Sequence, residues 1–247
     1  MERITLFCLP FAGGNKYSYR AFLKEAKGLL KIVPLEYPGR GGRMNESLET
    51  NIDRLVDDAY RQVKYISGLT EYAIYGHSMG GLVAWLLARK IVENGCRKPM
   101  HIFISGTIGP AACRVMDKKR HLLEKSAFFA EIRDLNGSPE AVLQNADLMD
   151  HLEPILRADF EATETFIYTE ATPLRIPFSV ITGTEEDMEM DDIMSWQKET
   201  TYPVNFLRMS GGHFFIYEHA PEILNFISGK LSPPTEGSSL IFRLSGS

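Results

Sequence analysis

Three separated stretches carry residue types that could together perform nucleophilic catalysis. The first is Gly76-His77-Ser78-Met79-Gly80, a serine with glycine two residues before it and two after. An apolar, β-prone run, Tyr72 to Tyr75, leads in, and Leu82-Val83-Ala84-Trp85-Leu86-Leu87-Ala88 leads out as a helix-forming stretch. This pattern predicts a strand turning sharply into a helix, with the serine held in strained backbone geometry at the turn. Such a turn tolerates only small neighbours, which Gly76 and Gly80 supply, and Gly81 lets the helix pack close to the sheet. The Ser78 hydroxyl would then sit near a helix N-terminus, whose amides favour developing negative charge.

A serine hydroxyl is a weak nucleophile until a positioned base takes its proton. His213 is the best of six histidines for this: it follows an apolar run, sits on Gly211-Gly212, and precedes a helix-forming segment. His219 is the runner-up. His77, the immediate neighbour of Ser78, is expected to point away from it and bond locally, and His101, His121 and His151 are expected as surface or capping residues. The base needs a carboxylate to fix its tautomer. The stretch Gly183-Thr184-Glu185-Glu186-Asp187-Met188-Glu189-Met190-Asp191-Asp192 offers several. Asp187 is the first choice, Glu186 the second and Asp191 the third. An oxyanion needs two backbone N–H donors, one from Met79 and one from Phe11 or Ala12 in the Phe11-Ala12-Gly13-Gly14 loop. The chain order of serine, acid and histidine is that of the α/β-hydrolases.

The elements that must position these groups alternate. Strand-like runs fall at Arg3–Leu9, Lys31–Glu36, Tyr72–Tyr75, Met100–Ser105, Phe178–Thr182 and Val204–Met209, with helical patterns at Tyr19–Leu30, Leu48–Ile66, after the serine, and from Pro221. Alternation of this kind predicts an α/β fold with a mainly parallel sheet covered by helices on both faces. Its chemistry gathers at the carboxyl ends of the strands, where all the candidate groups fall. From about 117 to 169 the alternation stops. Leu122, Leu123, Phe128, Phe129 and Ile132 mark one helix; Leu148, Leu152, Ile155 and Leu156 mark another; Ala158–Tyr168 makes a third. A helical insertion at the chemical end of a sheet is expected to act as a lid. The division is therefore a domain over 1–231, with its lid at 117–169, and a Ser-, Pro- and Gly-rich tail over 232–247 expected to be poorly ordered.

At 247 residues the chain can bury a sizeable core. Its 44% hydrophobic and 24% charged residues and net charge of −5 form no long like-charge block, which speaks against nucleic-acid or anionic-membrane partners. No apolar run is long enough to span a bilayer. Cys8, Cys96 and Cys113 are odd in number and lack metal or redox spacing, and no leader pattern precedes the first strand, so a cytoplasmic protein with reduced thiols is expected. No coiled-coil pattern or oversized apolar face stands out, so a monomer is expected. The chemistry calls for neither cofactor nor metal.

Leu9-Pro10-Phe11-Ala12-Gly13-Gly14, Tyr37-Pro38-Gly39-Arg40-Gly41, Gly76-His77-Ser78-Met79-Gly80-Gly81 and Gly211-Gly212-His213-Phe214-Phe215 together resemble type II thioesterases, the stand-alone editing enzymes of nonribosomal peptide and polyketide assembly lines. Leu156-Arg157-Ala158-Asp159-Phe160 is similar to that family's lid region. The resemblance spans Leu6 to about Phe226. It implies an α/β-hydrolase fold and hydrolysis of acyl groups from the phosphopantetheine thiol of a carrier protein. Ser78 would be the nucleophile, His213 the base and Asp187 the acid. The family's acid loop has a Gly-x-x-Asp pattern, and by that spacing Glu186 occupies the expected place. The same residues would also serve a medium-chain acyl-carrier thioesterase or a carboxylesterase; a non-catalytic binding protein on this fold commonly lacks a triad member. No mechanism for Arg40 emerges beyond a structural one.

Overall fold

A computed structural model describes residues 3–28, 30–112, 119–134 and 145–232. The strands are β1 (Ile4–Leu9), β2 (Leu30–Pro34), β3 (Tyr72–His77), β4 (Ile102–Ser105), β5 (Phe178–Gly183) and β6 (Asn205–Met209). They form one six-stranded sheet in the order β2-β1-β3-β4-β5-β6, and every pairing is parallel. A parallel sheet buries both faces, and the side chains of the central strands divide accordingly. Phe7, Leu9, Tyr72, Ile74, Ile102, Ile104, Phe178 and Val180 enter one apolar cluster with α2 (Ile52–Ser67) and α3 (Met79–Glu93). Ile4, Leu6, Cys8, Ala73, Tyr75, Phe103 and Ile181 enter the other, with α1 (Arg20–Glu25) and the C-terminal helix. The period of two along each strand produces two cores on one sheet.

The strand order sets where the chemistry can sit. β1 lies between β2 and β3, so the chain leaves the sheet on opposite sides after β1 and β3. A crevice opens at such a switch point, outside the carboxyl ends of the strands. The loops after β1 and β3 are the Phe11 loop and the serine turn.

Between β4 and β5 the described residues are helical through α4 (Lys125–Asp134) and α5 (Ala146–Glu164). The second and third helices expected in this insertion are one: α5 runs through without a break and ends at Glu164 rather than Tyr168. Pro154 lies inside it. Proline removes one backbone donor, and the apolar face of α5 holds the helix together across that gap. Met149 and Leu156 pack against Phe128 and Ile132 of α4, while Ala162 joins the main core. The remaining helices are α6 (Met190–Met194), α7 (Phe215–Glu218) and α8 (Ala220–Leu231). Trp196 sits in a 3-10 turn, Ser195–Glu199, that follows α6. Cys113, the insertion residues 117–118 and 135–144, and the tail from 233 lie outside the described residues. No helix among those described is long and apolar enough to cross a membrane.

Candidate active site

Ser78 is the N-cap of α3, at φ 54° and ψ −121°, and is the one non-glycine residue with positive φ among those described. Holding a serine there costs on the order of 1–3 kcal/mol, which the surroundings must over-determine. They do so at close range. Ser78 N–H donates to Ser105 O at 2.8 Å, and Gly81 N–H donates to Ser78 O at 2.8 Å. A Cβ on Gly76 would collide with the Gly80 carbonyl, and one on Gly80 with the Leu9 carbonyl. The glycines of the turn are therefore fixed by backbone on both sides, including the backbone at the end of β1.

His213 follows β6 and directly precedes α7. Its Nδ1 lies 2.6 Å from Glu186 Oε1, and the Glu186 side chain is 3% exposed. The other carboxylate oxygen, Oε2, accepts the Gly183 N–H at 2.6 Å. An ionised carboxylate only accepts, so Nδ1 carries the proton and Nε2 is left as an acceptor. The acid that reaches His213 is Glu186, where the sequence reading put Asp187 first. Asp187 and Asp191 are exposed. The reason is local: the turn after β5 folds residue 186 back onto the Gly183 amide and points it at the β6 loop, whereas the next residue faces outward.

His77 is fully buried, with Nδ1 2.9 Å from Ser105 Oγ, which also lies 2.7 Å from Tyr75 Oη. Its ring centroid is 4.8 Å from that of His213. Burial, and then the neighbouring His213, hold its pKa well below the ordinary histidine value. A neutral ring beside His213 does not oppose a proton arriving there. Gly106, at φ 61°, leaves the space: a Cβ would strike the His77 ring and come within 3.3 Å of Glu186 Oε1. Ser105, Tyr75 and Gly106 were not singled out from sequence. A glycine placed directly after a strand-like run is the signal that could have found Gly106.

The loop after β1 has almost all its backbone groups assigned. Leu9 O accepts from Tyr19 Oη at 2.5 Å and Pro10 O from Tyr37 Oη at 3.4 Å. Gly14 N–H donates to Phe11 O at 2.9 Å, Asn15 N–H to Ser18 Oγ at 3.0 Å, and Gly13 N–H to Asp159 Oδ2 at 2.7 Å. Phe11 N–H and Ala12 N–H have no partner among the described residues. The Met79 N–H belongs to the first turn of α3, where helical amides lack intrahelical partners. Phe11 packs edge-on to His77 at 5.8 Å and to Phe214 at 4.9 Å, so this loop touches both the serine turn and the histidine loop.

The other histidines lie elsewhere. His219 caps α8 and bonds Ser210 through Nε2, at 3.1 Å to Oγ and 3.0 Å to O. His121 pairs with Glu164 at 2.7 Å, and His151 is exposed on α5. His101 is not at the surface as expected but 5% exposed, stacked on Phe103 and 2.9 Å from Ser179 Oγ. It shares the inward face of its neighbour two residues on. Among the described residues no group of three or more His, Cys, Asp or Glu is placed to hold a metal ion.

A serine at a strained turn, a carboxylate-bound histidine and backbone amides without a partner among the described residues are the parts that acyl transfer requires. The thioesterase-domain family model matches residues 4–231. The chain belongs to the thioesterase family. This thioesterase is 31% identical over 231 residues to the gramicidin S biosynthesis protein GrsT of Aneurinibacillus migulanus, covering 93% of this chain and 89% of that one. The crystal structure of ClbQ from the colibactin pathway matches with a TM-score of 0.87 at 30% identity, over 93% of this chain and 97% of that chain. The type II thioesterase BorB from the borrelidin cluster matches with a TM-score of 0.85 at 29% identity, over 93% of each chain. The resemblance to type II thioesterases holds, and with it the α/β-hydrolase fold and the assignment of the chain as a thioester hydrolase.

Proposed function

We propose that this thioesterase hydrolyses acyl groups from the phosphopantetheine arm of carrier proteins in nonribosomal peptide or polyketide synthesis, through a Ser78–His213–Glu186 triad. The observation that carries the reading is the 2.6 Å contact between His213 Nδ1 and the buried Glu186, which leaves Nε2 free to act as a base toward Ser78. Ser78 Oγ attacks the thioester carbonyl while His213 Nε2 takes its proton. The C–S bond then breaks, and the imidazolium returns the proton to the departing thiol. Water repeats the sequence on the acyl-serine ester and releases the acid. Met79 N–H, with Phe11 or Ala12 N–H, carries the oxyanion. Ser78 Oγ has no hydrogen bond to a described residue, and in this mechanism its bond to His213 Nε2 forms as substrate fills the site. We place the enzyme in the cytoplasm as a monomer, with the α4–α5 insertion as its lid.

The test is turnover of an acyl-loaded carrier protein. Ser78→Ala lowers kcat on the order of 10⁶-fold with the fold intact by circular dichroism; undiminished turnover would overturn the mechanism. A carrier preference is read by comparing kcat/KM for one acyl group on the carrier, on free pantetheine and on coenzyme A. Equal values would remove the carrier from the proposal and leave a general thioester hydrolase.

A further inference from the structure

The Arg40 segment and the Asp159 segment, both unexplained from sequence, meet in a buried ion pair. Arg40 Nη1 and Nη2 lie 2.5 and 2.7 Å from the two Asp159 oxygens, and the side chains are 1% and 0% exposed. Arg40 also lies over the Tyr37 ring and reaches the Gly14 carbonyl at 3.5 Å. Asp159 Oδ2 accepts the Gly13 N–H as well. Removing two charges from water has a high cost that the pair alone does not reliably offset, so its stabilising value does not explain its place.

Its place is explained by the turn it grips. Phe11 O accepts from Gly14 N–H, Gly13 has φ 77°, and Ala12 is not among the positive-φ residues, which makes Phe11–Gly14 a type II turn. Types I and II differ by a flip of the central peptide, here Ala12–Gly13. A carboxylate accepting the Gly13 N–H selects one sense, because the flip would turn the Ala12 carbonyl toward a negative charge. Arg40 neutralises that charge, which would otherwise oppose an oxyanion one residue away. Leu156, one turn before Asp159 on α5, fills the space at Gly13 where a Cβ would go.

We infer that Asp159 and Arg40 are positioning residues of the oxyanion hole: the pair reaches from α5 to the Gly13 amide and anchors the turn that carries the Phe11 and Ala12 N–H donors, holding it against the serine turn. The inference rests on the proposed acyl-transfer reading of Ser78. It makes α5 part of the catalytic geometry as well as a cover over it.

Two double variants test it, Arg40→Met/Asp159→Leu and Arg40→Met/Asp159→Asn. Both remove the buried charges and keep the branched shape of residue 159; only the second retains an oxygen for the Gly13 N–H. The Leu variant is expected to lose about 10²-fold in kcat on a short acyl-pantetheine, with KM little changed. Its affinity for an alkyl boronic acid, whose tetrahedral adduct on Ser78 occupies the donors, falls by a similar factor. The Asn variant is expected to recover most of both. Equal kcat and equal boronate affinity in the two folded variants would overturn the inference. A second measurement needs no variant: in the unaltered protein the Gly13 amide resists hydrogen exchange, the Phe11 and Ala12 amides do not, and boronate protects these two. Rapid exchange at Gly13 would overturn the inference even if a double variant fails to fold. An active Ser78→Ala enzyme that binds no boronate would instead sink the reading of the site itself.

Discussion

The acid turn after β5 and the donor loop after β1 stand at the same edge of the same sheet and are held in opposite ways. Glu186 is fixed from within its own turn, by the amide of Gly183 three residues earlier. The donor loop is fixed from outside, by the hydroxyls of Tyr19 and Tyr37 and by Asp159, which is 146 residues from Gly13. A turn that closes on itself can be written in a few consecutive residues. A loop held by distant side chains is defined only when the whole chain has folded around it.

The largest effect should separate Glu186 from its exposed neighbours. Glu186→Gln presents an amide donor to Nδ1 and favours the wrong tautomer, so kcat is expected to fall about 10⁴-fold, while Asp187→Asn stays within about 2-fold. The reverse order of losses would return the acid to Asp187. Next comes Gly183, where a Cβ would meet the Gly211 carbonyl and lie 2.9 Å from the Gly212 carbonyl. Both are backbone atoms that cannot swing aside. Gly183→Ala therefore pushes the acid turn and the histidine loop apart, and we expect at least a ~100-fold loss in kcat together with a lower Tm. Unchanged kcat would mean that the turn is not the rigid support described here.

The smallest effect concerns stability on the β5 side alone. Burial, and secondarily Lys230, hold His101 at a pKa of about 4. The unfolded chain takes up that proton near pH 6.5 and the folded chain does not, so stability is fully present above pH 6.5 and declines as pH falls toward 4. The loss amounts to at most about 3 kcal/mol. His101→Gln should flatten the dependence of Tm on pH in that window and leave kcat at neutral pH unchanged. A pH dependence identical to the parent's would exclude His101 as its source.

The same contrast explains what could be read without a structure. The serine turn was legible because its sequence signature is local: small residues two positions either side, an apolar run before, a helix after. The strands were legible within a residue or two because the sheet's inward faces impose a short period. Glu186 was legible in its spacing from Gly183 and stood second because five neighbouring acids offered the same chemistry. His101 was misplaced because polarity was weighed above alternation with Phe103. The continuity of α5 was hidden by Pro154, whose effect depends on packing that sequence does not display. The Arg40–Asp159 pair could not be read at all, because its partners lie 119 residues apart and neither has a local signal of the other.

One detail of the donor loop reaches further. Folding finds partners for the amides of Gly13, Gly14 and Asn15, and none among the described residues for those of Phe11 and Ala12. In most proteins backbone amides at such positions are matched during folding. In the proposed mechanism the matching is deferred, and the atom that completes it is the oxygen of a molecule in mid-reaction. On that proposal two backbone amides serve the reaction rather than the fold.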